Sequence, residues 1–142
     1  DIFYTATTAA DLAESLIETY DILLGVGINQ VTTDSHEYFE KILKFMENHL
    51  ETPLSTQDIC KEFAVSQAYM SRLFRKHADM SFVQVLTKMR MERAKQIILE
   101  NTELYLKDIS RMVGYEDQFY FSRVFHSYTG KSPSAWGRQE CR

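Results

Sequence analysis

Apolar residues return every three or four positions along almost the whole chain, and no stretch keeps a two-residue alternation. That pattern predicts helices throughout and no sheet. Leu12, Leu16, Tyr20, Leu23 and Leu24 share one face of a helix opened by a capping pair, Thr8 and Asp11, and ended by Gly25 and Gly27. Asp34 and Glu37 open the next helix, which carries Phe39, Ile42, Leu43, Met46 and Leu50 and is stopped by Pro53. Ser55 and Asp58 then open a short helix to about Phe63, Ala64-Val65-Ser66 makes a turn, and Ser66 caps a helix to about His77. Ser81 opens a long helix over about 82–101, with Val85, Leu86, Met89, Ala94, Ile97 and Ile98 apolar and Lys88, Arg90, Arg93 and Lys95 lining the remainder. A short helix from about Leu106, a tight turn at Gly114-Tyr115, a helix capped by Glu116 or Asp117 and running to about Tyr128, and a last helix holding Trp136 complete the chain.

Within this series one unit is used twice. Tyr69-Met70-Ser71-Arg72-Leu73-Phe74 returns as Tyr120-Phe121-Ser122-Arg123-Val124-Phe125, a shift of 51 residues. Asp58-Ile59 and Ala64 match Asp108-Ile109 and Gly114 at a shift of 50, so the second turn is one residue longer. Asp79 and Gly130 stand where each copy reverses direction, and both residue types tolerate a left-handed backbone. Tyr105 replaces the capping Ser55, which leaves the second copy's first helix less well capped.

A short helix, a tight turn and a second helix make the plan of a helix-turn-helix. Ile59/Ile109, Phe63/Val113, Leu73/Val124 and Phe74/Phe125 hold each pair of helices together, and Tyr69 and Tyr120 are expected to pack beside them. On the other face lie Gln67, Ala68, Ser71, Arg72, Arg75 and Lys76 in the first copy, and Gln118, Phe119, Ser122, Arg123 and His126 in the second. A helix entering the major groove needs short or amide side chains near its start and an arginine able to reach a guanine, which Arg72 and Arg123 supply. An internal ion pair is the plainer use of either arginine, but their matched occurrence favours DNA. Arg75, Lys76 and Lys131 are placed to neutralise phosphates, which position a protein without specifying sequence. The long helix also has the right length: about 20 residues span roughly 30 Å, close to the roughly 34 Å between successive major grooves.

Charge sharpens this picture modestly. Residues 1–52 hold ten Asp/Glu against two Lys, a net of −8, whereas residues 53–142 hold fourteen Lys/Arg against ten Asp/Glu, a net of +4. The boundary near Thr52-Pro53 places the positive field on the repeated part. An apolar content of 44% with 13% aromatic residues is ample for a core and argues against disorder. No apolar run reaches the length of a membrane span and nothing resembles a signal peptide. Cys60 and Cys141 form no disulfide framework, which suits a reducing cytoplasmic setting. His36, His49, His77 and His126 share no ligand spacing with either cysteine, so no metal or other cofactor is expected. A Gly-rich phosphate loop and a nucleophile–base arrangement are also absent from the sequence, so an enzyme is not expected.

Joined motifs then carry a resemblance. The segments Arg90-Met91-Glu92-Arg93-Ala94-Lys95-Gln96-Ile97-Ile98, Val113-Gly114-Tyr115-Glu116-Asp117-Gln118-Phe119-Tyr120-Phe121-Ser122-Arg123-Val124-Phe125 and Thr129-Gly130-Lys131-Ser132-Pro133 resemble the AraC/XylS family of bacterial transcription regulators, over about Tyr38–Arg138. The resemblance implies an all-α fold in which two helix-turn-helix units are joined by a long linker helix, here preceded by an extra N-terminal helical segment. The corresponding division is residues 1–33 as linker or dimer segment and 34–142 as the DNA-binding domain, with helix-turn-helix units at about 54–78 and 105–128. The implied function is sequence-specific promoter binding to double-stranded DNA, usually activating transcription through RNA polymerase. Carried over by position, Ala68, Ser71 and Arg72 face bases in the first unit and Gln118, Phe119, Ser122 and Arg123 in the second, with Gln67 beside the first group. Lys131 and the adjoining Ser132 join Arg75 and Lys76 on phosphates.

Several positions depart from the family's pattern. His126-Ser127 stands where two basic residues are usual, Asp79 where Gly is common, and Trp136-Gly137 where an aromatic-Arg ending is usual. The second helix is typical of family members that are response regulators, and the start at Asp1 reads as a fragment whose receiver domain lies upstream. A homodimer through the N-terminal helices or that upstream domain is a further expectation. Two other readings remain: an interaction module in which only the first unit reads DNA, and a methyl-acceptor role for Cys60, which a buried, inert thiol would exclude.

Overall fold

The computed structural model describes residues 31–140, with side chains from Ser35 to Arg138. The helix expected over Thr8–Leu24 and Cys141 lie outside the described residues. Seven helices follow one another among the described residues, and no strand occurs there: α1 Val31–Asn48, α2 Thr56–Phe63, α3 Gln67–Ala78, α4 Phe82–Glu100, α5 Leu106–Met112, α6 Gln118–Thr129 and α7 Pro133–Glu140. The described residues are all-α, with two helix-turn-helix units, α2–α3 and α5–α6, and the long α4 between them in sequence. Two compact units result. One takes the described residues up to Phe45 with Ser55–Phe82, the other Met46–Leu54 with the residues from Val83 on.

Local chemistry accounts for most helix ends. Ser55 accepts the Asp58 amide while the Asp58 carboxylate takes the Ser55 amide at 2.8 Å, a complete capping box at the start of α2. Ser66 caps α3 by accepting the Tyr69 amide at 3.1 Å. Tyr105 makes no side-chain cap for α5, as its lack of a short polar side chain predicts. One boundary differs from expectation: α1 begins at Val31, so Asp34 lies inside the helix rather than capping it. No glycine or proline stands between Val31 and Asp34 to interrupt the helix there.

In the first unit the buried side chains include Phe39 and Ile42 from α1, Ile59 from α2, and Met70, Leu73 and Phe74 from α3, with Phe82 at the start of α4. Phe39 meets Phe74 edge to face at 5.1 Å, and Phe63, half-buried, meets Tyr38 and Phe45 at 5.6 Å each. The Tyr38 hydroxyl donates to the Phe63 carbonyl, tying α1 to the end of α2.

His77 makes this unit sensitive to pH. Its ring stacks on Phe39 at 5.2 Å, meets the His36 ring at 5.4 Å, and places Nε2 3.2 Å from the Ser35 hydroxyl. Burial lowers its pKa, with Lys76 and His36 adding to the effect and Glu40 opposing it. The unfolded state therefore takes up a proton more readily than the folded one, and stability falls as pH drops below about 6.5. The carboxylate pKa values of Asp58, held by Ser55, and of Glu92 are depressed. The stability they contribute is present above the ordinary carboxylate pKa of about 4 and is lost as pH falls through and below that range, under the window of His77. Thermal unfolding followed from pH 7.5 to pH 5.5 should show a falling midpoint that His77→Leu flattens. An equal fall in His77→Leu would refute the assignment.

The second unit gathers Met91, Ala94, Ile97 and Ile98 of α4 with Ile109, Val113, Phe121 and Phe125, against which Leu106, Tyr115, Val124 and Trp136 pack. Met91 was not among the expected apolar positions of α4. It is fully buried while Met89 is half-buried, because Met91, Ala94 and Ile98 hold the three-four spacing of the face that meets this core. Arg90, expected on the solvent side, is structural. Its Nη2 donates to the Thr52 carbonyl at 3.0 Å, and its guanidinium lies 5.3 Å from the centre of the Tyr115 ring.

Candidate nucleic-acid interface

The same turn positions the second helix of both repeats. Val65 donates its amide to the Cys60 carbonyl and Ala64 to that of Lys61; Tyr115 and Gly114 do the same to Ser110 and Arg111. Each is a Schellman closure around a left-handed residue, Ala64 at φ 53° and Gly114 at φ 89°. The extra residue of the second copy falls after this point, between Gly114 and the capping Asp117. Asp117 accepts from the amides of Phe119 at 2.8 Å and Tyr120 at 3.3 Å, so of the two acidic candidates it is the cap. Asp79 and Gly130 end α3 and α6 in left-handed conformations, each donating its amide four residues back, to Arg75 and His126. Two short helices thus leave matched turns and stop at matched caps.

On α3, Gln67, Ser71, Arg75 and Lys76 are exposed, while Ala68 and Arg72 are half-buried. On α6, Phe119 and Arg123 are exposed, and Gln118 and Ser122 half-buried. The polar outer face of each second helix is therefore built from the residues that the repeat singled out. His126 and Ser127 are also exposed, and they carry none of the fixed charge that Arg75 and Lys76 place at the end of α3. Lys131 sits 5.7 Å from the centre of the Trp136 ring, which Lys95 also approaches, at 5.0 Å. Ser132 accepts the Ala135 amide at 3.2 Å at the start of α7, which leaves its own O–H to donate.

The two tyrosines of the repeat do not share one role. Tyr69 is half-buried, 6.4 Å from the Tyr38 ring, but Tyr120 is 51% exposed and does not join the core as expected. The buried position belongs to the next residue, Met70 in α3 and Phe121 in α6. Phe121 and Phe125 lie four residues apart on one helical face, and that spacing was the available signal. Tyr120 instead lies beside Tyr115 at 5.9 Å, with the Arg123 guanidinium 5.9 Å from its ring centre. It thereby belongs to the outer face of α6.

Other chemistry finds little support. Cys60 is half-buried with its sulfur 4.0 Å from that of Met70, and burial raises its pKa, which disfavours the reactive thiolate. Among the described residues no group of three or more His, Cys, Asp or Glu could hold a metal ion, and no helix is long and apolar enough to cross a membrane.

Known proteins show the same plan. A family model described as a helix-turn-helix domain matches residues 59–139. The Msm operon regulatory protein of Streptococcus mutans is 30% identical over 128 residues, covering 90% of this chain and 45% of that protein. The raffinose operon transcriptional regulatory protein RafR of Pediococcus pentosaceus is 34% identical over 117 residues, covering 81% and 42%. The chain thus spans less than half the length of these two relatives. Among solved structures, the C-terminal domain of AraT, a response regulator from Geobacillus stearothermophilus, superposes with a TM-score of 0.68 at 31% identity, covering 71% of this chain and 84% of that one. Repeated turn, repeated cap and matched family model agree: the chain belongs to the AraC/XylS family of transcription regulators and carries its helix-turn-helix domain.

Proposed function

We propose that this chain binds double-stranded DNA sequence-specifically, with α3 and α6 as recognition helices in successive major grooves, and that the protein regulates transcription, acting as an activator. The observation that carries the proposal is the repetition of one reader. Gln67/Gln118, Ser71/Ser122 and Arg72/Arg123 hold matched places on two helices that leave the same turn and end at the same kind of cap. Ala68 and Phe119 complete the base-facing sets, and Arg75, Lys76, Lys131 and Ser132 contact phosphates. RNA polymerase is the partner through which activation would act. Residues 1–33 serve as linker or dimer segment ahead of a DNA-binding domain over 34–142.

A second reading has one observation in its favour: Arg75 and Lys76 close α3, where α6 offers only His126 and Ser127. In that case the first unit alone would grip DNA. Salt dependence separates the two. Binding to duplexes selected from a random library, measured by fluorescence anisotropy at several salt concentrations, should weaken steeply, by roughly 0.9 logarithmic units per phosphate contact for each tenfold rise in salt. Charge removal at Lys131 should lower that slope by about one if the second unit is engaged. An unchanged slope would favour the one-unit reading, and failure to enrich any sequence would refute sequence-specific binding.

A further inference from the structure

The two outer faces share three polar residue types and differ at the fourth position. Where α3 has Ala68, half-buried, α6 has Phe119, 68% exposed. Such a ring is not required by the fold, since Phe121 and Phe125 fill the aromatic places of that core and are fully buried. Nor is it loosely held at its root: the Phe119 amide donates to the Asp117 carboxylate at 2.8 Å, which fixes the backbone from which the ring projects at the first turn of α6. A phenyl ring neither donates nor accepts the hydrogen bonds by which adenine, guanine and cytosine edges are told apart in the major groove. The one apolar group presented there is the 5-methyl of thymine.

We propose that Phe119 is a specificity-determining residue that packs on the 5-methyl group of a thymine in the sequence bound by α6. This rests on the reading of α6 as a recognition helix. At the matched place in α3, Ala68 offers a single methyl group, so the requirement for thymine is stronger at the second unit than at the first.

The test uses duplexes enriched from a random library by the whole chain, with each thymine in turn replaced by deoxyuridine, which lacks only the methyl group. One replacement should weaken binding about fourfold, the worth of one buried methyl. In Phe119→Ala, which keeps only a single methyl group, the effect of the same replacement should fall below about twofold, while Phe119→Leu should keep more of it. Since Phe119 is exposed, thermal melting of both variants should match the parent. An enriched duplex indifferent to deoxyuridine at every position, or one whose sensitivity to deoxyuridine is undiminished at every thymine in Phe119→Ala, would overturn the inference while leaving DNA binding intact. Failure to enrich any duplex would overturn it together with the DNA-binding reading.

Discussion

Replacing Gly114 by alanine is expected to destabilise the second unit by about 3 kcal/mol or more. Two costs combine. The φ of 89° lies where an L side chain meets its own backbone, a cost of about 1–2 kcal/mol in the left-handed region. A Cβ built there would also stand 2.2 Å from the Leu50 carbonyl oxygen and 2.8 Å from Arg90 Nη2. A backbone oxygen cannot rotate away as a side chain can. Either the turn or the segment around Leu50 must move, and the Arg90–Thr52 hydrogen bond is held by the same groups. Trp136, the only tryptophan, packs against this core, so its fluorescence reports the unfolding in denaturant. The matched position gives the opposite sign. Ala64 already carries a Cβ at φ 53°, so Ala64→Gly relieves strain and should raise stability by about 0.5–1 kcal/mol after the added freedom of the unfolded chain is counted. A loss below about 1 kcal/mol in Gly114→Ala would show that the segment around Leu50 yields easily.

These equivalent turns also mark what could be read without coordinates. Caps and left-handed stops are local: Ser55 with Asp58, Ser66, Asp79 and Gly130 need only their neighbours in sequence to do their work, and all were legible. The matched Ala64 and Gly114 were visible as a 50-residue shift, though not the reason that one must be glycine while the other need not. That reason is the approach of Leu50, 64 residues away in the chain (50 to 114). Arg90 misled in the same manner. Its place among Lys88 and Arg93 suggested solvent, but its partner, Thr52, is 38 residues distant. Tyr120 was misassigned for a subtler cause. A helical face turns about 100° per residue, so taking Tyr rather than the following Phe121 as the packing residue moved the ring from outside to inside. For the candidate site, sequence alone offered the residue types and their matched places; the exposure of Phe119 and the nearness of Arg123 to Tyr120 required the fold.

Arg123→Ala is expected to weaken binding to a selected duplex by about 1–3 kcal/mol, roughly 5- to 150-fold, and to relax the base preference at one position. A bidentate arginine–guanine contact is a difference between bases, so its removal should cost little on unrelated DNA. Arg123 is exposed, and its loss should leave thermal stability nearly unchanged. Arg72 stands at the matched place on α3 but is half-buried, so Arg72→Ala must be read beside its melting curve. Lys76→Ala supplies the contrast. A phosphate contact carries no sequence information, so its removal should weaken all duplexes alike and lower the salt slope by about one. The three variants therefore separate by pattern rather than by size: two change which sequence is preferred, and one changes only how tightly any sequence is held. The grip should also be unequal, because Arg75 and Lys76 are exposed on α3 while α6 ends in His126 and Ser127. If Arg123→Ala alters neither affinity nor preference while a well-folded Arg72→Ala abolishes both, α6 does not read bases and the two-reader assignment fails.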